Sequence, residues 1–239
     1  MSTLFKRSLI NHEIRQAKAV ARHFGFALPP FAFWSVESWD QAGSEANEIR
    51  ECMLGWDVTD FGSGDFFNIG RVLFTLRNGR HGDARYPKPY AEKLLIDPEN
   101  QRAPAHYHRS KREDIICRCG GNIIVQLTKA GPDGLACDDP VIVQVSGITR
   151  QFKAGETIRL QPGESVTIPP QTIHQFWAEE GTGHSIDGKR FTLSSEISSV
   201  CDDKNDNVFF AEWAARFPTI VEDEAIECLL CHEYGGERL

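Results

Sequence analysis

Two histidines separated by one residue, His106 and His108, are the first sign of chemistry in this sequence. On a β-strand, residues two apart project from the same face, so this pair can bind one metal ion with two imidazoles. Glu113 follows after a short turn and begins a run that continues with Ile115 and Ile116. We therefore expect a carboxylate on the next strand, beside the histidine pair.

A fourth ligand comes from a later segment, in which Gly163, Pro169, Gln171 and His174 are spaced as G-x5-P-x-Q-x2-H. A strand that ends in two prolines, a tight turn and a histidine on the following strand would return an imidazole to the same place. Three imidazoles and one carboxylate leave open positions on an octahedral ion. A carboxylate ligand and a hard-oxygen substrate favour Mn²⁺, with Co²⁺, Fe²⁺, Ni²⁺ or Zn²⁺ as alternatives. Structural zinc is disfavoured because its closed sites prefer thiolates.

The two segments resemble the paired motifs of the cupin superfamily, G-x5-H-x-H-x3-4-E-x6-G and G-x5-P-x-G-x2-H-x3-N. The first motif matches from His106 through Gly120 but has Asn100 where its opening glycine would be. The second has Gln171 and Ala178 at its inner glycine and its final asparagine. The resemblance implies a mainly β fold, the cupin double-stranded β-helix, which is a jelly-roll-like barrel with a metal at its mouth.

Charged side chains near these motifs must decide the reaction, because the cupin fold hosts unrelated chemistries. Lys111 precedes Glu113 by two residues, and Lys93 lies on the run that leads into the first motif. Two lysines beside a cation are unfavourable unless an anionic species lies between them, as when an enediolate is stabilised. Glu196 lies on a predicted strand facing the metal, where a carboxylate can remove a proton from the carbon beside a carbonyl. We expect Glu196, Lys111 and Lys93 to be catalytic.

Several segments together resemble the D-lyxose isomerase family, the cupin-type sugar ketol-isomerases. They are YAEKLLI, PAHYHRSKREDIICRCGGNIIVQL, GESVTIPPQTIHQFWAEEG, SSEISSVCDDKNDN and RFPTIVEDE, which lie between residues 90 and 224, and the resemblance extends over roughly residues 60 to 235. The resemblance implies a Mn²⁺-dependent aldose–ketose isomerase that forms a homodimer. It also implies interconversion of D-lyxose and D-xylulose, and often of D-mannose and D-fructose.

The resemblance also implies a set of site residues. These are His106, His108, Glu113 and His174 as metal ligands, Glu196, Lys111 and Lys93 as site residues, and Asp206 and Arg216 as contacts to sugar hydroxyls. Phe176 follows the last ligand and is a candidate to pack on the sugar, with core packing as the alternative. The mechanism we expect is metal-assisted proton transfer by Glu196 between C2 and C1 through a cis-enediol. A metal-assisted hydride shift is the competing path.

Two other functions fit the same ligand set. A non-haem iron dioxygenase also uses three histidines and one glutamate, and it predicts Fe²⁺, oxygen consumption and a more apolar pocket. A non-catalytic sugar-binding or metal-binding cupin predicts ligand binding without turnover. Nearby lysines and carboxylates favour the isomerase, because they suit a polyol substrate.

Seven cysteines form a second candidate group. The sequence Cys228-Leu229-Leu230-Cys231-His232 matches the attachment pattern of c-type haem, and with Cys117 and Cys119 it offers four thiols to zinc. Covalent haem requires export, and the start of the chain has charged residues where an export signal must be apolar. We therefore expect reduced thiols and a cytoplasmic protein.

The elements that position these residues are mostly short strands. Beyond residue 68, β-rich runs alternate with turn residues and are spaced as in an antiparallel sandwich or barrel. Before them, apolar residues at helical spacing predict a helix from Ser8 to Gly25. A second, shorter helix is expected from Asp40 to Glu51. Near the end of the chain, AEWAARF predicts a short helix and TIVEDEAIECLLCHEY a closing strand.

Length and charge set the remaining limits. The 239 residues fit a single cupin domain, with a helical N-terminal extension at 1–55 and a β-barrel at 56–239. Lys plus Arg number 26 and Asp plus Glu number 34, a net charge of −8, so nucleic acid and anionic membranes are not expected as partners. No apolar stretch approaches the roughly 20 residues of a spanning helix. The expected partner is a small sugar.

Overall fold

Short β-strands make up most of the chain in the structure, a computed structural model that describes residues 4–202 and 205–234. The helices are α1 (Arg7–His23), α2 (Val36–Gln41) and α3 (Asn47–Glu51), and 3₁₀ turns lie at Pro30–Phe33 and Ser44–Ala46. The strands are β1 (Gly55–Thr59), β2 (Arg71–Arg77), β3 (Tyr90–Pro98), β4 (His106–His108), β5 (Glu113–Cys119), β6 (Ile123–Ala130), β7 (Ala136–Cys137), β8 (Val141–Val145), β9 (Ile148–Phe152), β10 (Thr157–Leu160), β11 (Ser165–Ile168), β12 (Thr172–Ala178), β13 (His184–Ile186), β14 (Lys189–Ser199) and β15 (Asn207–Phe209). Across the described ranges, no helix has both the length and the apolar character needed to cross a membrane.

The strands form two antiparallel sheets. The larger sheet has the order β1-β2-β3-β14-β5-β11-β8-β9, with β13 paired to β14. The smaller sheet has the order β10-β6-β12-β4-β15, with β7 paired to β6. Side chains of both sheets, such as Ile115 and Leu127, meet in one buried apolar cluster. This is the mainly β, jelly-roll-like fold that the sequence predicts, with a helix near its N-terminus.

Side-chain alternation gives the first strands of the larger sheet two different faces. The outer face, which carries Trp56, Phe74 and Leu94, packs against α1 in a buried apolar cluster. The inner face carries Lys93 and Glu196, which line a cavity together with residues of the smaller sheet. A single set of strands therefore supports an apolar layer on one side and a charged cavity on the other.

Helix α1 forms where the apolar spacing predicts it. Ile10 and Ile14 are buried against the outer face. The helix ends with Phe24 as its C-cap, and Gly25 follows with φ of 70°. This left-handed backbone conformation suits glycine and reverses the chain at the helix end.

The shorter helix predicted from Asp40 to Glu51 is wrong as a continuous element. The backbone is extended at Ala42 and Gly43, which separates α2 from the 3₁₀ turn and α3. The guanidinium of Arg50 donates to the carbonyl oxygens of Ala42 and Gly43 at 2.7 and 2.8 Å. These carbonyls are therefore satisfied by a side chain rather than by a helical turn.

The two elements predicted near the end of the chain are also wrong. Residues 211–217 form turns and bends rather than a helix, and Pro218 disfavours helical backbone at Phe217. Residues 219–234, which we call the C-terminal strap, form isolated bridges instead of the predicted strand. One of these bridges joins Leu230 to Trp56 of β1.

Polar contacts with α1 hold the C-terminal strap. The guanidinium of Arg7 is fully buried and binds the carboxylates of Glu222 and Glu233. The side-chain amide of Asn11 donates to Glu224 at 2.9 Å. Acidic side chains of the strap thus bind α1, and these contacts add to the bridge between Leu230 and Trp56 in fixing the segment.

Candidate metal centre and active site

Three histidines converge between the two sheets. His106 and His108 lie on β4, and His174 lies on β12 directly opposite His106. One ring nitrogen of each histidine lies within 4.8 Å of the other two. Within the described part of the chain, no other group of three or more His, Cys, Asp or Glu side chains is close enough together to bind a metal ion.

The orientation of two of the rings suits a metal ion. Nδ1 of His106 lies 2.9 Å from the carbonyl oxygen of Pro104, and Nδ1 of His174 lies 2.9 Å from that of Thr172. A carbonyl oxygen accepts only, so each Nδ1 carries the proton and the lone pair of Nε2 is left for a ligand bond. Burial and the neighbouring imidazoles hold the pKa of His106 well below its ordinary value, which keeps that ring neutral.

Glu113, the first residue of β5, brings a carboxylate to the histidines. Its Oε1 lies 2.9 Å from Nε2 of His174, and its Oε2 lies 3.4 Å from Nε2 of His108. Burial alone would raise the pKa of Glu113, but the Lys111 ammonium and the imidazoles hold it well below its ordinary value. Three imidazoles and one carboxylate form an N/O donor set that fits a divalent ion of the first transition row.

A row of buried charges continues from Glu113 away from the histidines. Nζ of Lys111 lies 2.8 Å from Oε2 of Glu113 and 2.8 Å from Oε1 of Glu196. Nζ of Lys93 lies 3.4 Å from the same oxygen of Glu196. These four residues are at most 6% exposed. The structure thus brings together the four metal-ligand candidates and the three catalytic candidates that the sequence predicts.

The lysines and carboxylates stabilise one another's charged forms. Burial alone would lower the pKa of Lys111, but Glu113 and Glu196 raise it above its ordinary value. Burial alone would raise the pKa of Glu196, but Lys111 and Lys93 bring it below its ordinary value. Lys111, Glu113 and Glu196 are therefore charged at neutral pH, and Glu196 is available as a base.

Strand pairing sets the order of this row. Glu196 on β14 lies opposite Lys93 on β3 and, on its other side, opposite Ile115 on β5. Glu113 is two residues from Ile115 and projects from the same face. Cross-strand neighbours on one face lie within contact distance, so the sheet itself aligns the charges.

Asp206 fixes the turn that carries Lys111. Its carboxylate accepts hydrogen bonds from the backbone N–H groups of Ser110 and Lys111 at 2.8 and 3.0 Å, and from the Ser110 hydroxyl at 2.7 Å. Both carboxylate oxygens are therefore engaged with the turn between β4 and β5. The predicted contact of Asp206 with sugar hydroxyls stays a prediction, and this geometry favours a positioning role instead.

The other two predicted substrate contacts reach the cavity of the histidines. Arg216 lines this cavity and pairs with the carboxylate of Asp57 on β1. Phe176 also lines it, with the guanidinium of Arg71 4.3 Å from the ring centroid. Phe176 also belongs to the buried core, so its ring both packs in the core and forms part of the cavity wall.

Arg71 and Phe209 line the same cavity and are not among the residues that the sequence predicts. Arg71 is buried and pairs with Asp97, and its place on the inner face of β2 follows from strand alternation. Phe209 lies on β15 and follows the acidic segment that ends the SSEISSVCDDKNDN sequence. The apolar run at 208–210 was the signal that could have located it.

No cysteine belongs to the group of candidate metal ligands among the described residues. All seven lie within the described residues, and none forms a disulfide. Cys228 and Cys231 are buried in the C-terminal strap, where the Lys18 ammonium lies 3.1 Å from Sγ of Cys228. Among the described residues, the four-thiol group with Cys117 and Cys119 does not form a cluster tight enough for a metal ion.

Comparisons with known proteins point in one direction. The sequence model of the family described as D-lyxose isomerase matches residues 5–234. A D-lyxose/D-mannose isomerase of Serratia proteamaculans is 44% identical over 231 residues, which are 96% of this chain and 97% of that protein. A D-lyxose/D-mannose isomerase of Escherichia coli O157:H7 is 41% identical over 230 residues, 96% of this chain and 98% of that protein.

A solved structure supports the fold. The L-ribose isomerase of Cellulomonas parahominis with L-ribose superposes with a TM-score of 0.59 at 17% identity. The match covers 92% of this chain and 100% of the other chain. At this identity the likeness speaks for the fold, and it confirms the cupin architecture that the sequence motifs imply.

Proposed function

This chain belongs to the D-lyxose isomerase family and is a sugar isomerase, and we propose that it interconverts D-lyxose and D-xylulose, and D-mannose and D-fructose, with a divalent metal ion. The observation that carries the proposal is the buried row Glu113, Lys111, Glu196 and Lys93, which begins at the three histidines. The names of two relatives that match nearly the whole chain support the choice of sugars.

The metal centre would be held by the three histidines and Glu113, and we propose Mn²⁺ as its ion. The support is the donor set, which has imidazole nitrogens and a carboxylate but no sulfur. When bound there, the ion would act as a Lewis acid toward the carbonyl oxygen and the neighbouring hydroxyl oxygen of the sugar.

Glu196 is the residue that would move the proton. Its carboxylate is ionised because two ammonium groups lie beside it, and it is adjacent to the ligand cluster through Lys111. It can therefore accept the proton from C2 of the aldose and return it to C1 of a cis-enediol. A single base on one side of the sugar predicts that D-xylulose yields D-lyxose and not the C2 epimer.

Lys111 and Lys93 would orient this base and stabilise the substrate. Both ammonium groups contact the same oxygen of Glu196, which fixes the carboxylate in one position. The positive charge of both ammonium groups suits a sugar oxygen on which negative charge develops. Arg216 and Phe176 would complete the site as contacts to the sugar hydroxyls and carbon chain.

Assembly and location belong to the proposal as well. A homodimer, a cytoplasmic location and the division into a helical extension at 1–55 and a barrel at 56–239 rest on the sequence and its family resemblance. The buried lysines and carboxylates in one part of the cavity wall suit a polyol substrate and disfavour the dioxygenase alternative, which predicts a more apolar pocket.

Proton NMR tests the proposal directly. Metal-stripped protein reloaded with Mn²⁺ is incubated without oxygen in D₂O with D-lyxose, D-mannose or D-fructose, and metal-stripped protein is the control. We expect each sugar to convert to its isomer, and the ketose to carry deuterium at C1.

Three other results would contradict part or all of this proposal. Conversion without carbon-bound deuterium over many turnovers would favour the hydride shift over the enediol. Formation of D-xylose from D-xylulose would contradict a single base at Glu196. No conversion of any of the sugars would overturn the proposed function, and oxygen uptake with Fe²⁺ would then support the dioxygenase.

A further inference from the structure

A second cavity adjoins the metal centre. The inner chamber, which contains the histidines, has a volume of about 50 Å³. The outer chamber has a volume of about 360 Å³, and its wall includes Asp57, Thr75, Lys93 and Arg216. Lys93 and Arg216 line both chambers, so the two meet at these side chains.

The inner chamber is too small for a whole sugar. Its volume is enough for a few water molecules and for the reacting end of a substrate, but a hexose requires more space. The remaining carbons must lie in a neighbouring cavity. Since the outer chamber opens beside Lys93, next to the proposed base, it is the space into which the rest of the chain can extend.

The strand register gives the direction of this extension. Glu196 on β14 lies opposite Lys93 on β3, and Lys93 lies opposite Thr75 on β2. Two strand spacings separate Thr75 from Glu196, about 10 Å. A sugar with C1 and C2 beside Glu196 would therefore pass Lys93 and bring its far end to Thr75.

The wall of the outer chamber has groups that suit hydroxyls. The Asp57 carboxylate and the Arg216 guanidinium form a pair there, which offers both acceptors and donors. Thr75 is 5% exposed and lines the outer chamber opposite Lys93, so the size of its side chain limits the space for the far end of a sugar that has passed Lys93.

We propose that the outer chamber binds the C4 to C6 end of the open-chain aldose, and that Thr75 sets how well a sixth carbon is accepted. The proposal rests on the proposed function and deepens it. D-mannose and D-lyxose share their configuration at C2, C3 and C4, and D-mannose carries one additional CHOH unit in its open chain. The two sugars therefore differ only in the part that the outer chamber would hold.

The test enlarges this one side chain. Thr75→Leu adds volume in the wall of the outer chamber beside Lys93, so we expect the ratio of kcat/KM for D-mannose to kcat/KM for D-lyxose to fall by about tenfold or more. Thr75→Ile adds volume while keeping the β-branched shape that strands favour, and it serves if the leucine variant does not fold. Thr75→Val keeps the size and removes the hydroxyl, which separates volume from hydrogen bonding.

A control places the same change away from both chambers. Thr167 lies on β11 and lines neither cavity, so Thr167→Leu should leave the wild-type ratio for the two sugars. Circular dichroism and the content of bound Mn²⁺ establish that each variant is folded.

The outcomes separate this proposal from the proposed function. Suppose that the wild-type protein converts both sugars. If the enlarged Thr75 variants then lower kcat/KM equally for both sugars, or change it for neither sugar, the outer chamber does not hold the sixth carbon. If Thr75→Val lowers the ratio as much as Thr75→Leu, the hydroxyl and not the volume is decisive, and the size limit is wrong. If the wild-type protein converts neither sugar, the proposed function fails and this proposal fails with it.

Discussion

The outer and inner faces of the larger sheet belong to the same strands but have opposite characters. On the outer face, Trp56 and Phe74 pack with Ile10 of α1 in an apolar layer. On the inner face, Lys93 and Glu196 form buried ion pairs beside the candidate metal ligands. Residues of the two faces are neighbours in sequence, since Leu94 lies outside and Lys93 inside.

This difference indicates that the stability of the fold and the chemistry of the site depend on opposite faces of the sheet. Apolar burial stabilises a fold by about 25 cal/mol for each Å² removed from water. A buried ion pair loses hydration that its attraction barely offsets, so it is weak evidence for stability. We infer that the outer face holds the fold together and that the inner face keeps its charges for the reaction.

Removal of the metal ion should have the largest effect of all on activity, which depends on the inner face. It should have only a small effect on the packing of the outer face. After dialysis against a chelator, isomerase activity should fall to background while the far-UV circular dichroism of the β-sheets is retained, because α1 and the outer face pack without the ion. Added Mn²⁺ should restore activity. Loss of the sheet signal together with the metal would show that the inner face also holds the fold.

Glu196→Gln should lower kcat by a factor of about 10² to 10⁴, the usual contribution of a general base. The amide cannot carry the proton, although it keeps the size of the side chain. Bound metal, measured by mass spectrometry, should stay at the wild-type level because Glu196 is not among the candidate ligands. Glu180→Gln is the control, since Glu180 is exposed. Full activity of the Glu196 variant would remove this residue from the mechanism.

Ile10→Ala tests the outer face. Ile10 has no exposed surface, so the cavity left by truncation should lower the free energy of unfolding by about 2–5 kcal/mol in urea titrations. The matched change Ile142→Ala, at a side chain that is 57% exposed, should alter it by about 0.5 kcal/mol or less. Equal effects at the two sites would contradict a stabilising role for the outer face.

Arg7→Met and Arg15→Met compare two arginines of α1 that both bind carboxylates of the C-terminal strap. Arg7 is buried, and its loss should lower the free energy of unfolding by about 2 kcal/mol, because it removes charged hydrogen bonds to Glu222 and Glu233. The Arg15 side chain is 51% exposed where it pairs with Glu227, so its loss should lower that free energy by less than about 1 kcal/mol. If Arg15→Met proved the more damaging change, exposure would not govern the strength of these contacts.

The strands and the metal centre could be predicted because their signals are local. His106 and His108 reveal their common face through spacing alone, and the alternating runs after residue 68 form strands as expected. The cupin motifs remained recognisable without two of their glycines. Asn100 and Gln171, which replace those glycines, have φ of 66° and 57°, so the left-handed turns persist with other residues.

The remaining features depend on contacts between distant parts of the chain. The pattern of the C-terminal strap resembles a strand, but its acidic residues find partners on α1, and this tertiary contact overrides the local preference. The sequence around Asp206 has no feature that distinguishes a residue contacting a sugar from a residue that caps a turn. The role of Asp206 as a cap of the turn at Ser110 becomes visible only with the fold.

The contact between Arg7 and Glu222 spans 215 residues, and this has a consequence for biosynthesis. A ribosome makes α1 long before the strap, so the nascent helix has no carboxylate for its buried guanidinium while the sheets are being translated. The ion pairs that join α1 to the strap can form only after the strap has left the exit tunnel, so the last contacts of the outer layer are among the latest in the protein's synthesis.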